Sequence, residues 1–185
     1  AVRILRSFDV LFEHCTFEKN SARIGGGVYA ESSRGEIRHC EFKNLNFATR
    51  AGGAVALKGF EEDSSLRVWK LSDCVFRGNR TFDGPGGAVA VIGEDKDLNG
   101  GGSFGHGVLA PGGVFVTMER CKFESNIAEK AGTVGAGNGG ALYCDARRSY
   151  VVLTDVTFVN NLSGFNGRAI AAVALATVDI RGREN

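Results

Sequence analysis

The chain has 185 residues and a formal net charge of +1, which gives no reason to expect nucleic acid or an anionic membrane as a partner. No apolar run reaches the roughly 18 residues that a membrane-spanning helix needs, so we expect no membrane span in this segment. The 27 Gly and 2 Pro residues, together with 43% hydrophobic residues, predict tight turns between short buried strands rather than a disordered chain.

A Cys-x-Phe phrase recurs along the chain at unequal intervals. Counted between the first residues of successive copies, the intervals are 25, 34, 47 and 35 residues. A fixed phrase at unequal spacing indicates one repeated unit, a coil, joined by loops of different length. The five copies are Cys15-Thr16-Phe17, Cys40-Glu41-Phe42, Cys74-Val75-Phe76, Cys121-Lys122-Phe123 and Val156-Thr157-Phe158.

Apolar residues around each copy follow the spacing of β-strands. They stand five and three residues before the Cys position, at that position and two residues after it, except that Gly35 fills one of the earliest positions. Alternation by two is typical of a strand, and the change of phase before the Cys position predicts that one strand ends there and another begins. The residues just before the Cys position therefore form a tight corner and include His14, His39, Asp73, Arg120 and Asp155.

Each coil continues with an Asn and then with a Gly-Gly-small phrase, such as Gly52-Gly53-Ala54, that leads into a third short strand. Gly inside a helix costs about 1 kcal/mol relative to Ala, so helices are not expected. We predict three strands per coil and a ladder of Asn side chains at one corner. The Asn stands five residues after the Cys position, at Asn20, Asn79, Asn126 and Asn161, whereas the second coil has Leu45 there, between Asn44 and Asn46.

These patterns predict an all-β fold, a right-handed parallel β-helix of about five coils that occupies residues 1–185 as a single segment. Neither end shows a polar capping element, which solenoids need for solubility, so we expect the segment to be part of a longer chain. Residues 92–113 interrupt the repeat and are expected to project from it as a long loop.

Phe-x-x-Asn followed by Gly-Gly-Ala and an aliphatic residue resembles the repeat of the chlamydial polymorphic outer membrane proteins. The first motif occurs four times, beginning at Phe17, Phe76, Phe123 and Phe158, and Arg168 departs from the second motif in the fifth coil. The resemblance implies a solenoid of the pectate-lyase type that is exposed at a cell surface and used for adhesion.

The cysteines are expected to point into the core. Stacked neighbours would have Cα atoms about 5 Å apart, which lies within the disulfide range. The spacing therefore permits disulfide bonds between neighbouring coils. Free packed thiols are favoured, because buried Cys behaves as a small hydrophobe. The five cysteines are Cys15, Cys40, Cys74, Cys121 and Cys144.

The titratable corner residues are interpreted as structural, since Asp and His tolerate the backbone of tight corners. We predict no catalytic or cofactor-binding residue.

The long loop contains a sequence that matches the opening of a calcium-binding loop. Asp95, Asp97 and Asn99 supply side-chain oxygens at alternate positions, and Gly100 follows where a sharp turn is needed. The twelfth position is His106 rather than a bidentate Glu. The sequence is therefore consistent either with a calcium site formed by these three residues or with a plain Asx-rich turn, and no other cofactor is expected.

Two classes of function fit the sequence. The first is a non-enzymatic structural or adhesive module of a cell-surface or extracellular protein, whose loops recognise a protein or glycan, or further copies or coils of the same chain. The second is a polysaccharide lyase-like enzyme, which needs carboxylates and a basic residue converging on one exposed face. Because no exposed column is acidic, we favour the adhesive module, with an intracellular scaffold as the alternative location.

Overall fold

The computed structural model describes residues 1–59, 67–93, 113–132, 137–145, 149–173 and 176–182. Every regular element in those ranges is a β-strand, and each complete coil contributes four of them. The first three coils comprise β1 (Val2–Leu5), β2 (Val10–Glu13), β3 (Thr16–Glu18), β4 (Ser21–Ile24), β5 (Val28–Glu31), β6 (Gly35–Arg38), β7 (Glu41–Lys43), β8 (Phe47–Ala51), β9 (Val55–Lys58), β10 (Arg67–Ser72), β11 (Val75–Arg77) and β12 (Arg80–Thr81). The rest of the chain adds β13 (Val89–Ile92), β14 (Val114–Glu119), β15 (Lys122–Glu124), β16 (Ile127–Ala128), β17 (Leu142–Asp145), β18 (Tyr150–Thr154), β19 (Thr157–Val159), β20 (Leu162–Ser163), β21 (Ile170–Ala172) and β22 (Thr177–Arg181).

The strands form four parallel sheets, because each strand pairs with the strand four places away along the chain. Sheet A contains β1, β5, β9, β13, β17 and β21, and sheet B contains β2, β6, β10, β14, β18 and β22. Sheet C contains β3, β7, β11, β15 and β19, and sheet D contains β4, β8, β12, β16 and β20. The predicted all-β parallel β-helix with about five coils is therefore confirmed. The columns aligned by sequence are hydrogen-bonded neighbours, as in Val10, Gly35, Trp69, Val116 and Val151 of sheet B.

The prediction of three strands per coil is wrong, because sheet D supplies a fourth. Its strands β12, β16 and β20 have only two residues each. Short strands that bury only small residues give no apolar alternation in the sequence, and that alternation is the signal on which the prediction depends. The small residues aligned in sheet D are Ala22, Ala48, Thr81, Ala128 and Ser163.

One continuous core lies between the sheets. It is formed by the inward-facing side chains of sheets A and B, together with the aligned Cys and Phe side chains of successive coils. Trp69 is its largest fully buried side chain, and the indole Nε1 donates a 2.8 Å hydrogen bond to the carbonyl oxygen of Ser33. The indole N–H is therefore satisfied inside the core, where an unpaired donor would be unfavourable.

Three corners of each coil use a residue in the left-handed region of the backbone. At the corner between sheets B and C, φ lies between 50° and 53° at His14, His39, Asp73, Arg120 and Asp155, so the predicted corners are confirmed. The corner between sheets D and A has a left-handed Gly three residues before each sheet A strand from β5 onward, because Gly adopts this conformation without steric strain. The glycines, with φ between 61° and 71°, are Gly25, Gly52, Gly86, Gly139 and Gly167.

The Gly-Gly-small phrase has a distinct requirement at each position. The first Gly turns the chain, as described above. The second Gly lies against the next coil, so a Cβ atom added to Gly87 would overlap the carbonyl oxygen of Gly140. The third residue faces the Phe column, since a Cβ on Gly27 would lie 3.1 Å from the ring of Phe42. Small residues are therefore needed where the coils come closest.

The fourth corner, between sheets A and B, contains the connections that differ most in length. The connection from β13 to β14 contains the predicted excursion, of which residues 94–112 lie outside the described residues. The connections from β9 to β10 and from β17 to β18 likewise contain residues 60–66 and 146–148 outside the described residues. The connections from sheet D to sheet A also vary, from three residues after β4 to thirteen after β16, so differences between coils are concentrated at these two corners.

Replacing Gly87 with Ala tests the close approach of the coils. We expect Gly87→Ala to lower the free energy of unfolding by about 2–4 kcal/mol, because the added methyl group forces neighbouring coils apart. Urea denaturation followed by circular dichroism measures the change.

The matched control is Gly78→Asn. Gly78 has φ of 64° and no atom within 4 Å of an added Cβ, and Asn160 has φ of 52° at the equivalent corner of the fifth coil. Asn tolerates this backbone, so its effect should stay within about 1 kcal/mol. Equal losses from the two substitutions would show that stacking distance is not the constraint.

Candidate functional site

The Phe residues of the repeated motif form a stack in the core. Consecutive ring centroids from Phe17 to Phe158 are 4.6, 4.9, 4.7 and 5.1 Å apart, with interplanar angles of 13° or less. Phe42, Phe76 and Phe123 are fully buried. Phe17 and Phe158 stand at the ends of the stack, each with one stacked neighbour, and are half-buried. The inward orientation predicted for this column is confirmed, and the three central rings are inaccessible to a ligand.

The Asn residues form the predicted ladder, with one correction. In the second coil the ladder position is occupied by Asn46, which is fully buried, and not by Leu45. Asn44 and Leu45 both have left-handed φ angles, of 54° and 66°, so this corner contains one extra residue. Each side-chain amide donates a 2.9 Å hydrogen bond to the amide oxygen of the next coil along Asn20, Asn46, Asn79, Asn126 and Asn161, which we call the Asn ladder.

Backbone groups complete the hydrogen bonding of the Asn ladder. The second amide hydrogen of Asn126 is donated to the carbonyl oxygen of Phe76, at 2.9 Å between heavy atoms. The backbone N–H of Asn126 donates to the side-chain oxygen of Asn161 at 3.0 Å. Each central Asn therefore binds both neighbouring coils and has its donors satisfied. The Phe-x-x-Asn motif thus joins coils to one another.

The cysteines are free thiols, as favoured from the sequence. Cys40, Cys74, Cys121 and Cys144 are buried, whereas Cys15 is only half-buried. The Cys74 thiol lies 3.1 Å from the carbonyl oxygen of Ser72 and 3.3 Å from that of Ile37 in the previous coil. A thiol at this position can therefore hydrogen-bond a corner carbonyl group while it packs as an apolar side chain.

The titratable residues at the corner between sheets B and C do not form an acid–base pair. The imidazole rings of His14 and His39 are stacked, with centroids 5.0 Å apart. Arg120 donates two hydrogen bonds to Asp73, at 2.7 and 2.8 Å, and these bonds hold the pKa of the Asp73 carboxyl below its usual range. A carboxylate held by a bidentate Arg is a poor base, so the geometry supports the structural interpretation.

The metal site predicted at Asp95, Asp97 and Asn99 lies outside the described residues. Among the residues that the structure describes, no group of three His, Cys, Asp or Glu side chains is placed to hold a metal ion.

The outer face of sheet B contains a groove of about 440 Å³ that exposes more apolar than polar surface and includes exposed Leu11. Asp9 and Glu36 line it, and they lie 3.7 Å from Arg34 and 3.8 Å from Arg38, respectively. Its acidic groups are therefore already paired with basic ones. Exposed Val68 adds an apolar contribution to the same groove.

The outer face of sheet D contains a second groove, of about 350 Å³, which sequence reasoning missed. We call it the sheet D groove. It runs over β16 and β20, where Ile127 and Leu162 are aligned neighbours, and reaches Phe82, which follows β12. Its apolar residues occupy the strand positions that alternate with the core-facing ones. They were not predicted to face outward because the strands of sheet D were not predicted. The lining residues are Phe82, Ile127, Ala128, Glu129, Lys130, Ala131, Leu162, Ser163 and Gly164.

A family model of the Chlamydia polymorphic membrane protein repeat matches residues 14–31 and 120–145. Each matched stretch begins at the corner before a sheet C strand and ends with the last residue of a sheet A strand. The resemblance seen in the sequence is confirmed over these residues, and the match indicates a surface-associated repeat protein. No curated protein and no solved structure matches the chain. In the described ranges, no helix is long and apolar enough to cross a membrane.

Substitution of Asn126 tests the Asn ladder. Asn126→Ala should lower the free energy of unfolding by about 1–3 kcal/mol, because buried groups in two neighbouring coils lose their partners. The midpoint of urea denaturation measures the loss. Asn166→Ala is the matched control, since Asn166 is exposed and is not among the residues with a left-handed backbone, and a comparable loss from both substitutions would contradict a role for the Asn ladder in stability.

Thiol labelling tests the cysteine column. At pH 8 one thiol per chain, that of Cys15, should react rapidly with a disulfide reagent, and the others should react only as the chain unfolds. Burial raises the pKa of Cys144 to about 12, so that thiol is protonated at pH 8. The hydrogen bond with Cys74 lowers the pKa of Cys121, which is protected by its burial instead.

Cys15→Ser should remove the rapid phase and leave the slow one unchanged. Rapid reaction of three or more thiols in the folded protein would show that the column is open to solvent.

Proposed function

We propose that the chain is a structural and adhesive module of a cell-surface or extracellular β-helix protein, in which the connections between sheets A and B carry recognition. The observation that supports this proposal most strongly is the location of the repeated residues. The central Phe and Asn residues and the Gly-Gly phrases are engaged in stacking one coil on another. Recognition is therefore left to the outer faces and to the connections, which differ between coils.

The charges on the outer faces favour this proposal over a polysaccharide lyase. A lyase needs several unpaired carboxylates near a basic residue, so that they can bind a cation and abstract a proton. Here Glu13 lies 2.9 Å from Arg38, and Glu124 lies 2.9 Å from Arg77. Carboxylates neutralised by neighbouring guanidinium groups are unavailable for that chemistry.

We further propose that Asp95, Asp97 and Asn99 bind calcium and thereby order the connection from β13 to β14. The support is the spacing of their oxygens in the sequence. Ordering each residue of a Gly-rich segment costs roughly 1–2 kcal/mol, and a bound ion offsets part of that cost. An ordered connection can present a fixed surface to a protein or glycan partner.

Adhesion of coated beads tests both proposals. Beads that carry the chain should bind to cultured epithelial cells, and replacement of residues 94–112 by a short Gly-Ser linker should reduce binding about tenfold, as expected for loss of the main contact residues. Asp95→Ala combined with Asp97→Ala should reduce binding to the level that the wild-type chain shows with a calcium chelator.

The matched control replaces residues 60–66, in a different connection between sheets A and B, by the same linker. Denaturation midpoints confirm that each variant is folded. Unchanged adhesion after replacement of residues 94–112 would exclude that connection as the recognition site. Unchanged adhesion in the chelator would exclude the calcium site alone.

A further inference from the structure

The sheet D groove brings large apolar side chains to the surface on three consecutive coils. Phe82 is 47% exposed, Leu162 is 49% exposed and Phe165, which follows β20, is 54% exposed. Ile127 lies between them and is half-buried. Neighbouring coils are about 4.8 Å apart, so these side chains form one patch. A contiguous apolar patch with aromatic members is typical of an interaction site.

The charged groups around the groove are unequally paired. Glu129 contacts Arg80 in the neighbouring coil, and Asp83 accepts a 3.2 Å hydrogen bond from the backbone N–H of Ala131. Among the described residues, by contrast, Lys130 contacts no carboxylate. The acidic groups already have partners, so the groove has one basic group available for a carboxylate.

Lys130 lies beside the apolar patch and lines the sheet D groove together with Leu162. The Nζ atom of Lys130 lies 4.5 Å from the centroid of the Phe165 ring. An apolar group bound against Leu162 would therefore have a positive charge within reach.

The lining favours a peptide over a glycan. A bound sugar would present many hydroxyl groups, each of which needs a hydrogen-bond partner when it is buried. Ile127, Ala131 and Leu162 offer none and Glu129 is engaged by Arg80, so only Lys130 and Ser163 supply side-chain partners in the lining, too few for the hydroxyl groups of a sugar chain. Apolar side chains of a peptide, however, fit this lining.

We propose that the sheet D groove binds a short segment of a partner protein that presents an apolar side chain beside a carboxylate. This inference rests on the proposed role as a surface module, for which it names a class of partner. It assigns that partner to the side of the solenoid rather than to the connections between sheets A and B.

Fluorescence polarisation with a labelled acetyl-Glu-Phe-Leu-Glu-amide peptide, titrated with the full chain to about 1 mM, tests the proposal. The chain should bind this peptide about tenfold more tightly than the Gln-Phe-Leu-Gln and Glu-Ala-Ala-Glu peptides. Leu162→Ser should weaken binding of the first peptide about tenfold. Lys130→Ala should abolish the preference for Glu over Gln.

Two variants provide matched controls. Leu45→Ser removes a side chain of similar exposure, 51%, at the corner between sheets C and D of the second coil. Lys70→Ala removes an exposed lysine of sheet B. Neither should change binding. Absence of saturable binding, equal affinity for the three peptides, an equal effect of the controls, or displacement of the peptide by an oligogalacturonate would each overturn the proposal.

The peptide assay is independent of the bead assay. Peptide binding without bead adhesion would remove the proposed adhesive function and leave the groove assignment. Adhesion without peptide binding would remove the groove assignment alone.

Discussion

The close approach of consecutive coils at the corner between sheets D and A is the constraint on which the rest of the structure depends. Because the second Gly of each phrase lies against a carbonyl group of the next coil, the coils can stack there only when that residue has no side chain. The short spacing continues around the coil. It places Phe rings 4.6–5.1 Å apart and lets ladder amides hydrogen-bond at 2.9 Å. One steric requirement thus aligns an apolar stack and a polar ladder in the same register.

This alignment separates the residues that build the solenoid from those that can interact with a partner. A change at Phe76 or Asn126 affects three coils, because each contacts the coil before and the coil after. A change at Phe82 or Leu162 affects mainly the solvent-exposed surface. Specific binding can therefore vary on the outer faces without disturbing the stack, which is how one fold can carry different functions.

The sequence predicts the columns of sheets A, B and C because their inward residues are large and alternate strictly. It does not predict sheet D, whose buried residues, such as Ala48 and Ala128, are too small to be distinguished from a turn. The sheet D groove was missed for the same reason: Leu162 and Ile127 can be interpreted as outward-facing only when their strand is known. The alignment of the columns, by contrast, predicts that Arg120 stands beside Asp73 at the corner between sheets B and C, where the structure shows them paired.

The second coil shows which requirement prevails when the spacing changes. With one extra residue, the chain had either to place Leu45 in the Asn ladder or to accommodate that residue in the corner. Leu45 in the ladder would leave buried groups of two neighbouring coils without partners, at about 1–3 kcal/mol for each group. A second left-handed residue costs about 1–2 kcal/mol. The corner is the less unfavourable choice, and the structure has Leu45 exposed there, with Asn46 in the ladder. The extra residue of this coil is therefore displaced to the outside of the solenoid, and the stacking of the coils is kept.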